Sequence, residues 1–533
     1  MTRKIDVTVF IALVAIGIAI VFSLGQDGNW DLANYHYYSV YALLNGRIGF
    51  DIVPSGIQSY FNPIADVPFY FLAKTFNNFP HFVMAVQSLY WSLCVFFVYL
   101  ISKNIFKFDT KFGKFLTAFS TVIGGSGIIS VVEAGSTFND LTIAFAALGV
   151  IFILTKNVFV KETKNLTLTL ALCGVILGVA TGLKPSGLIF SIGIFAGLIF
   201  FREKISAKSF GIMVLSFFAG YILTYGWWGY ILWSKFGNPY FPYLNNLFQS
   251  PYGFEQSYAD IRHLPDNVLQ ALFYPVYWLL PEFNQKCIEF ANRDFRFVSM
   301  FFASLLVLVS YGFLKKPETV EKIESVANFG ALKFLYLFLI VGYIFWLNTS
   351  SILRYMVTYE LLSGLYLSII PILVAVYCKK SVSALVATVF ALFVLFSTQY
   401  PSTWYTRTYY RDRAIWCEDL KLPDNAVVCM LGGFPSQVFI PFQNPKAQFI
   451  YIHGEIGYPF LYNDFMKKKI DGIINDPEKE VFLIYSICEP SRRRSLSFTS
   501  AYGYVSFPSE KELRLEHSAS DAISTISSSR STG

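Results

Sequence analysis

The sequence predicts a polytopic α-helical membrane protein with about eleven transmembrane helices and a small C-terminal α/β region outside the membrane. Three observations predict it. Only 14% of the 533 residues are charged and 54% are hydrophobic, whereas soluble domains carry roughly 25% charged residues. Apolar runs of about twenty residues recur up to roughly position 400. The short loops between those runs alternate between basic and poorly basic, the bias that orients a membrane protein.

The apolar segments run near Val7–Leu24, His81–Ser102, Phe115–Val132, Leu141–Thr155, Leu166–Thr181, Ser186–Phe201, Phe210–Trp233, Phe297–Leu314, Phe329–Leu347, Tyr359–Tyr377 and Ser383–Thr398. The first follows Arg3 and Lys4 and lacks small residues in a cleavage pattern, so it reads as a retained signal anchor. With those two basic residues in the cytoplasm, loops Lys103–Lys114, Lys156–Lys164, Arg202–Lys208, Lys315–Lys322 and Lys379–Lys380 also fall inside, each with at least two Lys or Arg. The N-terminus is then cytoplasmic, the C-terminus extracytoplasmic, and the protein a multi-pass component of the inner (plasma) membrane.

Residues 1–399 thus form a membrane unit with two long outer loops, 25–80 and 234–296. In the first loop, Asp31–Asn45 has helical spacing, and after a turn at Pro54 and Gly56 a second short helix is expected over Ile64–Phe76. The second loop is rich in Pro, Tyr and Trp, as suits a segment resting on lipid headgroups. Residues 400–508 read as a small extracytoplasmic α/β domain, with strands at Ala426–Leu431, Gln448–Ile452 and Val481–Ile487 and a helix over Asn463–Asn475. The Ser-rich tail, 509–533, reads as disordered.

The net charge of +7 lies in the inner loops and does not point to nucleic acid. Cys94, Cys173 and Cys378 sit in or beside apolar runs as packing residues, while two of Cys417, Cys429 and Cys488 are free to pair in an oxidising compartment. No zinc spacing, P-loop, nucleophile elbow or dinucleotide fingerprint is present.

Four polar sets fall on the outer side: Asp31 with Asn34, Tyr35 and His36; Glu133 with Asn139 and Asp140; Lys184 in GLKPSG; and Arg354 with Tyr355. A carboxylate there can take the proton of an attacking hydroxyl, and cations can hold a phosphate as it leaves. Each has a structural alternative. Asp31 and Asp140 can serve as helix caps, Lys184 can snorkel to headgroups, Arg354 can pair with Glu360 or a headgroup, and His36 can be a packed or interfacial histidine. Asp27 reads as a solvated loop residue, the tyrosines mostly as an aromatic belt, and the run Ser491–Ser495 as a solvated basic patch.

The motifs WDLANYHYY after the first helix, FND at the head of the fourth, GLKPSG before the sixth and LRY near the end of the helical region resemble the GT-C superfamily. These are polytopic glycosyltransferases that use polyprenyl-phosphate sugars, among them protein mannosyltransferases and the aminoarabinose transferase of lipid A. The resemblance covers most of residues 1–400, as architecture more than identity. It implies that Asp31 is the catalytic carboxylate, Asp140 the acidic residue of the second outer loop, and Lys184 and Arg354 the basic residues at the donor phosphate. Beyond what the resemblance implies, Tyr35, His36, Glu133, Asn139 and Tyr355 of the four polar sets are the further candidates for substrate binding. Asp31 is followed by Leu32, without the adjacent second acid seen in many members, and the C-terminal region matches nothing in the family.

The reading implied is a hexosyl- or pentosyltransferase that moves one sugar from a polyprenyl-phosphate donor to a glycan, lipid or protein acceptor. It needs no cofactor, with a divalent cation near Glu133 or Asp140 left open and no metal ligands assigned. An envelope polysaccharide polymerase or ligase, a lipid-linked glycan flippase and a structural subunit are the rivals. The charge-free interior of most helices and the absence of an internal repeat weigh against a flippase.

Overall fold

The computed structural model describes residues 2–161, 163–255, 260–280, 293–400, 407–431, 437–453 and 463–485. All eleven apolar segments are helical in it, but they are not eleven uniform spans. Among the described residues, seven helices are long and apolar enough to cross a membrane: Lys4–Leu24, Pro80–Ile105, Asp140–Val160, Leu166–Leu183, Ala207–Phe236, Phe329–Leu347 and Lys380–Ser397. An eighth, Leu353–Leu361 with Ser363–Tyr377, is bent by 56°. Gly187–Ile199 and Phe295–Val309 are apolar but shorter than a full span. The third segment breaks after Lys111–Gly125 and resumes as Ile128–Glu133. The count of eleven therefore rested on hydropathy, which does not register where a helix breaks.

One helix pair shows how small residues set this packing. Gly174, Gly178 and Gly182, four apart in Leu166–Leu183, face Met213, Phe217 and Thr224 of the neighbouring span, and Gly220 of that span faces the backbone at Val175. A Cβ on Gly178 would overlap the Phe217 carbonyl. In lipid, such close approach supplies the van der Waals contact that holds helices together. Gly178→Leu is expected to cost about 1–3 kcal/mol by overpacking. It should read as a lowered thermal midpoint of the purified protein in detergent; an unchanged midpoint would refute the close packing.

The two ends of the bundle differ. At one end the Lys103 ammonium pairs with Asp6 at 2.6 Å, the Asn328 amide donates to the Ile105 carbonyl, and the Asn328 side chain donates to the Phe159 carbonyl. At the other end lie the loop 25–80, Glu133, Lys184 and Arg354, and beside them the C-terminal strands.

The strands expected at Ala426–Leu431 and Gln448–Ile452 are present; the one expected at Val481–Ile487 is a strand over Glu480–Tyr485, and the last two residues of the expected run lie outside the described ones. β1 (Gln26–Asp27) pairs antiparallel with β2 (Arg407–Thr408). β3 (Ala426–Leu431), β4 (Gln448–His453) and β5 (Glu480–Tyr485) form a parallel sheet in the order β4-β3-β5. Parallel neighbours need crossovers, and the helix Asp464–Ile474 lies between β4 and β5 in the chain. Alternate residues pack to opposite faces. Val428, Met430, Phe449 and Tyr451 pack with Leu32, Tyr37, Tyr38 and Val40 of the first loop. Val427, Cys429 and Ile450 pack on the other face with Ile52, Val53, Trp228 and Met466. Ile52 extends the sheet: its amide donates to the Phe449 carbonyl, and its carbonyl accepts from the Tyr451 amide. The sheet and the first loop thus share one core.

That junction is fixed by a buried ion pair. Arg47 donates through Nε and Nη2 to the two oxygens of Asp51, both at 2.7 Å, and to the Pro445 and Ala447 carbonyls beside β4. Asp51 also accepts from the Tyr38 hydroxyl at 2.7 Å and the Phe449 amide at 2.9 Å. Cys429 is a free thiol; Cys488, the patch at Ser491–Ser495 and the tail lie outside the described residues.

Candidate functional site

The residues from Leu32 to His36 form a π-helix that leads into the α-helix Tyr37–Leu44. Asn29 caps its start: its side-chain oxygen accepts from the Leu32 amide at 2.7 Å, and its carbonyl accepts from the Ala33 amide. Asp31 makes no capping bond, so its carboxylate is left for other partners. Asp31 Oδ2 lies 2.8 Å from Arg354 Nη1 and accepts from the Tyr35 hydroxyl at 3.3 Å. Burial opposes its charge, but Arg354, His36 and Lys184 outweigh burial and hold the carboxyl below the usual carboxylate range.

Asp27, expected to be solvated, is buried instead. It accepts from the backbone and side chain of both Asn29 and Thr137. A carboxylate so placed joins the first loop to the loop before Asp140. Arg407, across the β1–β2 pair, donates to the Val132 and Ala134 carbonyls and ties the segment after the last span to the same place.

Each residue of the FND motif has a contact. The Phe138 ring lies 4.5 Å from the Arg354 guanidinium, and its carbonyl accepts from Lys184 Nζ at 2.8 Å. Asn139 has the left-handed φ of +64° that asparagine tolerates, and it donates to Asp66 at 2.5 Å. Asp140 opens the next helix, yet its Oδ1 pairs with Lys184 Nζ at 2.5 Å and its Oδ2 lies 4.0 Å from Arg354 Nε. It is an ion-pair partner, with no helix cap assigned to it.

Lys184 ends the Leu166–Leu183 helix in extended conformation, and Pro185 keeps the chain from continuing as helix. Its ammonium also lies 5.0 Å from the Tyr355 ring. Arg354 sits in a short 3-10 turn, Leu353–Met356, at the head of the bent span. It does not pair with Glu360, whose oxygens accept from the Ile129 and Ser130 amides.

Asp31, Asp140, Lys184 and Arg354 therefore meet, drawn from four segments far apart in sequence. The side chains of Lys184 and Arg354 are each 16% exposed, against 2% for Asp140 and 10% for Asp31. Glu133 is adjacent and buried, with neither oxygen hydrogen-bonded among the described residues. Burial first, then the Asp140 carboxylate, push it well above the carboxylate range despite Lys184 and Arg354, which favours its neutral form. It borders a cavity of about 10 Å³ shared with Ser136 and Asn139, roughly the space of one water. Among the described residues no group of three or more His, Cys, Asp or Glu is disposed to hold a metal ion.

Asp66 is the site residue that sequence reading missed. Its carboxylate sits 2.7 Å from His36 Nδ1 and accepts from Asn139. The available signal was a lone acid inside the aromatic stretch FNPIADVPFYF, where a carboxylate that is buried with its apolar neighbours needs a partner.

No protein-family model matches the chain, and a search of curated proteins finds no match. Two solved structures are similar to it, both of ArnT from Cupriavidus metallidurans. The form bound to undecaprenyl phosphate has 13% identity and a TM-score of 0.42, over 74% of this chain and 69% of that one. The apo form has 14% identity and a TM-score of 0.43, over 69% of this chain and 60% of that one. At that degree of overlap neither a shared fold nor a shared activity follows.

Proposed function

We propose that the protein is a membrane glycosyltransferase that moves one sugar from a polyprenyl-phosphate donor to an acceptor hydroxyl on the extracytoplasmic face. The convergence of Asp31, Asp140, Lys184 and Arg354 at one end of the bundle carries the reading. The resemblance of their motifs to GT-C enzymes supplies the donor class, and the basic loops at the opposite end support an extracytoplasmic site, a cytoplasmic N-terminus and an extracytoplasmic C-terminus.

A polyprenyl-phosphate sugar is a phosphodiester with one negative charge. As the anomeric carbon departs, the phosphate becomes a monoester and gains charge. Lys184 and Arg354 stand where that charge develops and stabilise it most in the transition state. Asp31 takes the acceptor's proton as its oxygen attacks, a single displacement that inverts the anomeric centre. Asp140 holds both cations in place, and neutral Glu133 offers a hydrogen bond without adding charge.

The test is direct. Asp31→Asn and Asp31→Ala are expressed in the native host at equal membrane levels, and lipid-linked sugars and envelope glycans are profiled by mass spectrometry. Loss of one glycan with accumulation of a polyprenyl-phosphate sugar is expected. Wild-type profiles in both variants would remove Asp31 as the base and favour a polymerase, flippase or structural role.

A further inference from the structure

We propose that Asn62 and Asp66, at the two ends of the short turn Pro63–Asp66, are positioning residues that set the spacing between the segments carrying Asp31, Asp140 and Lys184. The inference rests on the glycosyl-transfer reading and deepens it.

The local sequence builds the turn. Pro63 fixes its own φ and opens a single 3-10 turn, and Asn62 caps it, its side-chain oxygen accepting from the Ile64 amide at 3.2 Å. That bond decides how the side-chain amide lies, because an N–H can be met only by the oxygen. The amide nitrogen is left to donate, and both its partners are carbonyls: Gly182 at 2.9 Å and Thr224 at 3.0 Å. A flipped amide would lose every one of these bonds. Gly182 lies in the last turn of the Leu166–Leu183 helix, where carbonyls lack partners along the helix, and Lys184 follows two residues on. Thr224 belongs to the π-turn Ile222–Gly226 of the neighbouring span. One side chain thus ties the backbone that presents Lys184 both to the span beside it and to the first loop.

Asp66 closes the turn and is 4% exposed. A single oxygen, Oδ1, accepts from the Asn139 side chain at 2.5 Å and lies 2.7 Å from His36 Nδ1. Asn139 is the residue before Asp140, and its left-handed backbone sets the direction in which the next helix starts. His36 ends the π-turn that begins directly after Asp31. The stretch from Asn62 to Asp66 therefore grips the chain beside Lys184, beside Asp140 and at the turn headed by Asp31. None of these bonds is made to a reacting side chain.

That separation has a use. Lys184 holds Asp140 at 2.5 Å, and Arg354 holds Asp31 at 2.8 Å. A leaving phosphate competes for both cations, so these pairings loosen as its charge develops. The bonds through Asn62 and Asp66 involve neither cation and stay in place during the exchange. Reacting groups misplaced by about 1 Å lose about 100-fold in rate, so a frame independent of the ion pairs keeps the site in register while they exchange.

The test uses the full-length protein in native membranes, with the polyprenyl lipid extract of Asp31→Asn cells as the probe. Polyprenyl phosphate release is followed against the amount of extract, which separates kcat from the apparent KM. Asn62→Asp is the sharpest variant, because aspartate caps the turn as well as asparagine but sets an oxygen against both carbonyls. It is expected to lower kcat by about 10- to 100-fold with the apparent KM within about threefold of wild type. A wild-type kcat in Asn62→Asp would show that Asn62 is only a cap and overturn the inference. Asp66→Leu is expected to lower kcat likewise, and Asp66→Asn, which keeps an oxygen for Asn139 and His36, to lose less than about tenfold. If Asn62→Asp fails to accumulate in membranes, the Asp66 pair decides: equal rates in the two, or a raised KM with kcat unchanged, also overturn the inference. An extract that wild type leaves untouched removes the glycosyl-transfer reading itself, whereas an active wild type with an unchanged Asn62→Asp removes only the positioning role.

Discussion

Arg354→Met is expected to slow transfer by about a thousandfold, the effect of removing a charged donor from a developing anion. Two losses combine. The leaving phosphate loses the guanidinium that, with Lys184, stands at one end of the bundle. Asp31 loses the counter-charge 2.8 Å away that opposes its burial. With Arg354 gone, burial dominates and the Asp31 carboxyl rises from below its usual range. Because only the ionised form accepts a proton, the residual rate should climb with pH over a range where wild type is already flat. Arg354→Lys should recover only part of the rate: a point charge does not span the oxygens of Asp31 and Asp140 as a guanidinium does. Rates of polyprenyl phosphate release from the polyprenyl lipid extract of Asp31→Asn cells, measured across pH in native membranes, decide it. A wild-type rate in Arg354→Met would remove the arginine from the mechanism.

Arg47→Met is expected to destabilise the protein by about 3–5 kcal/mol, the cost of stranding one half of a buried ion pair. Arg47 is 3% exposed and Asp51 4%. Without the guanidinium, Asp51 keeps only Tyr38 and the Phe449 amide, and the Pro445 and Ala447 carbonyls lose their donor. The double variant Arg47→Met/Asp51→Leu should recover most of the loss, since replacing both partners with apolar groups leaves no stranded charge. Thermal unfolding in detergent and protease sensitivity of the sheet report the effect. A wild-type midpoint in Arg47→Met would show that the pair does not hold sheet and loop together.

Much of this was present in the sequence because it is local. Apolar runs mark helices, the runs at Ala426, Gln448 and Val481 mark strands, and the four outer motifs mark the charges that meet. What escaped was set by distant partners. Asp31 looked equally like a cap, because the competing cap, Asn29, is decided by which side chain the helix start turns toward. Asp27 looked solvated because Thr137 and Arg407, which bury it, lie far along the chain. Asp66 passed unnoticed because its value lies in His36 and Asn139, not in its neighbours. The helix breaks at Ser126 and after Leu361 are tertiary as well: Gly127 packs against the Glu360 side chain, and hydropathy averages over such points.

The sharing of one core by the first loop and the C-terminal sheet sets a timetable for biosynthesis. The Phe449 amide and its acceptor on Asp51 are 398 positions apart. A chain made from its N-terminus inserts the first loop early, then waits through the rest of translation for the strands that seat it. Arg354 reaches Asp31 late in that sequence, and β4 and β5 later still. The first loop, and Asp31 with it, is thus fully seated only once the last strands have been made.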